Sequence, residues 1–93
     1  MMTDLELIDL AARIMDTLRP AMDERTARIA NESWDVGEET EAVAVALQAA
    51  VTKRYAITEK TADDIRTLAE EDNSPSTRHL LPWLAELPRI PAA

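Results

Sequence analysis

The stretch Glu41–Val51, Glu-Ala-Val-Ala-Val-Ala-Leu-Gln-Ala-Ala-Val, is the longest apolar run in the chain, and the rest can be read as packing around it. Its alternating Ala and Val have the period of two that marks a half-buried strand. Three features favour a helix. The run lies inside Val36–Tyr55, which is longer than a typical strand. Its alternate positions are Ala, a strong helix former and a poor strand former. Its front end carries Asp35 as a cap with Glu38 three residues on, and Glu38, Glu39 and Glu41 suit the positive end of a helix dipole.

Wound as a helix, Val43, Leu47, Ala50 and Val51 form the main stripe, and Ala42, Val45, Ala46 and Ala49 cover its flanks. Only Glu41, Gln48 and Thr52 are left as a polar strip. A helix apolar nearly all round has neighbours on several sides, and its alanines let those neighbours come close. The run falls far short of the ~20 residues that span a bilayer and is flanked by charge.

Upstream, Thr3-Asp-Leu-Glu6 reads as a capping box that opens the first helix. From Leu5 to Leu18 the polar residues Glu6, Asp9, Arg13, Asp16 and Thr17 share one sector. The apolar remainder spans about 200°, twice the ~100° that a surface helix needs. One part of it should meet the central helix, and the surplus should meet another helix or another chain. Across Pro20 the residues Met22, Thr26, Ile29 and Ser33 stay in phase with that apolar face, which predicts a single kinked helix, Asp4–Ser33. Glu24–Arg28 and Arg28–Glu32 supply i,i+4 pairs on its far end.

Trp34-Asp-Val-Gly37 makes the first turn and holds the only glycine. The central helix runs out at Lys53-Arg54, and Tyr55-Ala-Ile57 connects to a third helix capped by Thr58 or Thr61. That helix is amphipathic, with Ala62, Ile65, Leu68 and Ala69 inside and Asp63, Asp64, Arg66, Glu70 and Glu71 outside. Ser74-Pro75 restarts the chain as a fourth element, Pro75–Leu87, which Pro82 splits or kinks and in which Trp83 sits among leucines as core. Leu87-Pro-Arg-Ile-Pro91 should be extended. The expectation is an all-α bundle of about four helices: a long Pro-kinked first helix, a buried central one, an amphipathic third and a short Pro-broken fourth. Residues 1–87 form one domain and 88–93 an extended tail.

At 93 residues the chain can bury one core, and without cysteine it has no disulfide, thiolate metal site or thiol nucleophile. Met1–Leu18 lacks a basic start and soon becomes acidic, unlike a signal peptide, so the expected location is the cytoplasm. Net charge is −8, with eleven acids and four bases in residues 1–50 against seven and six in 51–93. This balance argues against nucleic-acid partners and favours basic ones. A phosphate mimic is disfavoured because Arg13, Arg19, Arg25 and Arg28 interrupt the acidic half. Eight arginines to two lysines and abundant alanine suggest a GC-rich bacterial or phage genome.

Little in the sequence points to chemistry. His79, the only histidine, lies on an apolar helix face as a structural residue, and one glycine cannot build a phosphate loop. No catalytic, cofactor or metal residues are expected. Glu38, Glu39 and Glu41 are explained by their helix N-terminus. Glu70, Glu71 and Asp72 sit at a helix C-terminus, where the dipole disfavours them, and so suggest a basic partner. Trp34, beside a turn, is a candidate contact. The expected function is therefore a non-enzymatic protein-binding module, a phage or mobile-element product that inhibits or redirects a host protein. Leu7, Leu10, Ile14 and Trp34 would be its contacts, with Glu70, Glu71 and Asp72 as a charged rim. An antitoxin or immunity protein is the alternative, and a structural homodimer the third.

Overall fold

The computed structural model describes residues 2–72, 77 and 79–91. Those residues form an all-helical bundle: α1 (Asp4–Leu18), a 3-10 turn (Arg19–Ala21), α2 (Glu24–Asp35), α3 (Glu39–Lys53), α4 (Glu59–Glu71) and α5 (Leu80–Glu86). Five α-helices stand where about four were expected, and the difference arises at Pro20.

The expected single helix Asp4–Ser33 is two helices. Pro20 sits in the 3-10 turn, Met22 is extended (φ −93°, ψ 132°), and Asp23 caps a new helix by accepting the Thr26 N–H at 2.7 Å. Pro20 has no N–H to give to the carbonyl four residues before it, so a continuous helix would lose a bond there, whereas the Asp23 cap satisfies one of the N–H groups that a fresh start exposes. The break also resets the phase. α2 buries Ala30, with Thr26, Ser33 and Trp34 half-buried beside it, whereas Ile29 is 45% exposed. Among the described residues no ion pair closes along α2 from Glu24 to Arg28 or from Arg28 to Glu32.

α3 is the hub, touching α1, α2, α5 and the 3-10 turn. It buries Ala42, Val43, Ala44, Ala46, Leu47 and Ala50, and leaves Glu41, Gln48 and Thr52 outside as the polar strip. Burying Leu47 alone removes a side chain worth ~1.5–3 kcal/mol from water. The start of α3 differs from expectation. Asp35 is the last residue of α2, and Glu38 holds the cap position with no side-chain bond. The chain instead closes α2 with a Schellman turn, in which the Glu38 N–H donates to Ser33 O (2.9 Å) and the Gly37 N–H to Trp34 O (3.0 Å). Gly37 supplies the required positive φ of 83°.

α4 lies antiparallel to α1. Arg13 approaches Asp64 at 3.7 Å near the middle of the pair, and the Met2 N–H donates to Glu71 Oε2 (3.4 Å) at one end. Of the two candidate caps, Thr58 is the one used: it accepts the Thr61 N–H, and Thr61 is buried. The expected start at Ser74-Pro75 lies outside the described residues. Pro82 neither splits nor stops α5, because it occupies the first turn, where an N–H has no intrahelical acceptor.

Over residues 88–91 the chain is extended and is tied to the body. The Ile57 N–H donates to Pro88 O (3.0 Å) and the Ile90 N–H to Ile57 O (2.8 Å), a parallel bridge. Arg89 secures it, donating to the α5 carbonyl of Leu84 (3.3 Å) and to Leu87 O (2.7 Å) and pairing with Glu59 at 3.2 Å. Among the described residues no helix is long and apolar enough to cross a membrane.

Candidate protein-binding face

α1 has two faces. Toward α3 and α4 it presents Leu10, Ala11, Ile14, Met15 and Leu18, all buried, with Leu7 half-buried beside them. Away from the core it presents Leu5, 75% exposed, and Ile8, 36% exposed, with Ala12 half-buried. Helical spacing places Ile8, Ala12 and Met15 in one row at i, i+4 and i+7. The row runs into a cavity of about 230 Å³ walled by Ala12, Met15 and Asp16 from α1, by Arg19 from the 3-10 turn, and by Asn31 and Trp34 from α2. Asp16 and Arg19 pair across its rim at 3.8 Å.

Two expected contact residues are corrected by this arrangement. Leu10 and Ile14 are 2% and 1% exposed, so they hold the core together and cannot meet a partner. The exposed surplus of the wide apolar sector lies at its edge, in Leu5 and Ile8. Its signal was the width of the sector: the core takes the side centred on Leu10, Ile14 and Leu18, and the residues most distant from that centre stay in water. Trp34 is half-buried, with its ring against the core and in the wall of the cavity.

Of the acidic cluster at the end of α4, Asp72 is half-buried while Glu70 and Glu71 are exposed. Asp72 accepts from the Thr40 hydroxyl and Glu71 accepts the Met2 N–H. The bond to Met2 sets this cluster at the start of α1, so the Leu5–Ile8–Ala12 row runs from the acidic end of α4 to Trp34. Two carboxylates are held below their ordinary range by backbone donors: Glu6 by the Thr3 N–H and Asp23 by the Thr26 N–H.

A second groove of about 350 Å³ separates α2 from α3, with Ile29, Val45 and Ala49 along it and Asp23 and Lys53 at its edge. His79 stacks on Trp83 with ring centres 5.8 Å apart, away from either groove lining, and Trp83 is half-buried, not fully enclosed. Among the described residues no group of three His, Cys, Asp or Glu is placed to hold a metal ion. Compared with protein-family models, curated proteins and solved structures, the chain matches none. What the α1–α2 face offers chemically is aliphatic surface, part of the Trp34 indole and a mostly acidic margin.

Proposed function

We propose that this chain is a small, acidic, non-enzymatic protein-binding module whose contact surface is the outer face of α1 with Trp34. The observation that carries the reading is the row of exposed Leu5 and Ile8 and half-buried Ala12 that leads into the Trp34 cavity. Aliphatic residues standing in water beside an aromatic wall are the usual material of an interface core, and acids at the margin select basic partners. Small size, acidity and an Arg- and Ala-rich composition support the finer reading, a phage or mobile-element product that inhibits or redirects a host protein.

The concentration of charge in the first fifty residues, a balance of −7, favours one second reading: an immunity protein or antitoxin against a basic toxin. Affinity capture from a host lysate at low and moderate salt, with the native chain and Leu5→Asp in parallel, tests both. One stoichiometric partner that Leu5→Asp loses supports the binding module. A strongly basic partner whose association rate falls steeply with salt favours the neutraliser. Recovery of the bait alone, with a dimeric mass by light scattering, overturns both and leaves self-assembly.

A further inference from the structure

Resting on that reading, we infer that the element this face accepts is an amphipathic α-helix with Lys or Arg along the margins of its apolar stripe, laid along α1 into the Trp34 cavity. Shape is the first argument. From Leu5 to Arg19 the row covers fourteen residue steps, about 21 Å at 1.5 Å per residue, or four turns. Its floor, Ala12 and Met15, is set back between the rim of α1 and the Trp34 wall of α2. A row of that length with one recessed end suits anchors at i, i+4, i+7 and i+11 of a second helix.

Backbone chemistry is the second. The channel is bounded by helices whose own N–H and C=O groups bond within themselves, so it offers no sheet edge to an extended segment. An extended peptide would lose water from its backbone there and gain no partner, whereas a helix brings its backbone already paired.

Charge is the third. Asp9 and Asp16 lie along the α1 margin and Glu32 and Asp35 at the end of α2 that carries Trp34. Arg19 pairs with Asp16, and Arg28 offsets one acid further along α2, so the margins stay net negative. A second copy of the chain would set these acidic margins against each other, which disfavours self-association through this face. A helix with basic margins meets them with opposite charge.

The test uses the full chain, labelled with nitrogen-15, and three synthetic peptides of about 18 residues, roughly five turns. One is a leucine-striped helix with lysine margins, one is its glutamate-margined twin, and one is the lysine peptide with two central prolines. The lysine helix is expected to shift the amides of Ile8 and Ala12 and the Trp34 indole, and to weaken about tenfold from low to moderate salt. The glutamate and proline peptides should bind at least tenfold more weakly, and Leu5→Asp with Ile8→Asp should abolish the shifts while the rest of the spectrum stays native. Equal binding of the proline peptide overturns the helical occupant, and equal binding of the glutamate peptide overturns the basic margin. Shifts confined to the α2–α3 groove overturn the site. If all three peptides fail while the native chain still captures a partner that Leu5→Asp loses, this inference falls and the binding-module reading stands. If capture fails as well, both fall.

Discussion

α1 and α3 are equally long, fifteen residues each, and both are apolar around most of their circumference, yet they end in opposite situations. α3 is covered on nearly every side, and none of its large hydrophobic residues is exposed. α1 leaves Leu5 and Ile8 in water. Side-chain size decides the difference. Ala42, Ala44, Ala46 and Ala50 let α1, α2, α5 and the 3-10 turn close around α3. α1 carries Leu and Ile around its sector and is packed by α3, α4 and the turn that follows it. A wide apolar sector therefore states how much surface needs cover, and residue size indicates whether the same chain can supply it.

The sharpest way to break this comparison is to put a charge on each face of α1. Leu10→Asp places an unpaired carboxylate at a site 2% exposed. The cost is several kcal/mol, comparable to the whole stability of a domain at ~5–15 kcal/mol. The expected outcome is loss of the cooperative thermal transition and of dispersed amide signals. A folded monomer would show that Leu10 is not core. Next in size is Ala46→Leu, at a position with no exposed surface. Overpacking there should cost ~1–3 kcal/mol, read as a fall in the urea midpoint with the slope unchanged. A neutral result would mean that the alanines of α3 are not what lets its neighbours approach.

The two faces were unequally legible in the sequence. The interior of α3 and its polar strip followed from periodicity alone, because Ala, Val and Leu at helical spacing have few other solutions. The break at Pro20 did not follow, since Met22, Thr26 and Ile29 keep the phase of α1 by coincidence. What decides it is local: Asp23 accepting the Thr26 N–H, a bond that competes with helix continuation and is invisible to an apolar pattern. Asp35 shows the same limit, because a residue suited to begin α3 is used to end α2. For the site, the width of the α1 sector was readable, but which edge stays wet depends on where α4 docks, through contacts such as Arg13–Asp64 that no local pattern encodes.

The ends of α2 and α3 offer a smaller contrast. Both close by the same Schellman turn, the second with the Arg54 N–H donating to Val51 O (3.1 Å) and the Tyr55 N–H to Ala50 O (2.9 Å). The first uses Gly37 at φ 83°, whereas the second forces Arg54 to φ 52°. Arg54→Gly should therefore stabilise the protein by about 1 kcal/mol, and Gly37→Ala should destabilise it by ~1–2 kcal/mol. Nothing lies within 4 Å of a Cβ built at Gly37, so its cost is conformational and not steric. Acid acts on the opposite ends of the helices. Glu6 and Asp23 have lowered folded pKa values, so their contribution is present above the ordinary carboxylate range and is lost as pH falls through the lowered values. Asp23→Asn keeps a capping oxygen without the titration. It should leave neutral stability nearly unchanged and flatten the acid limb, as measured by thermal midpoints down a pH series.

The smallest effect on stability belongs to the residue that matters most for the proposed function. Leu5 is 75% exposed and stands at the second position of α1, beside Asp4 and Glu6 in a turn where the dipole favours negative charge. Leu5→Asp removes little buried area and adds a carboxylate where the helix tolerates one, so the urea midpoint should move by no more than the equivalent of ~0.5 kcal/mol. Binding should respond in the opposite proportion, because a charge would then stand at one end of the apolar row and lose water on association. The same class of substitution on one helix thus unfolds the protein at Leu10 and spares it at Leu5, and the pair separates core from interface without knowledge of the partner. A large loss of stability at Leu5 would assign the outer face to the core of this chain or of a dimer. Unchanged capture of a partner by the folded Leu5→Asp protein would move the contact surface elsewhere, with the Ile29–Val45–Ala49 groove the next place to look.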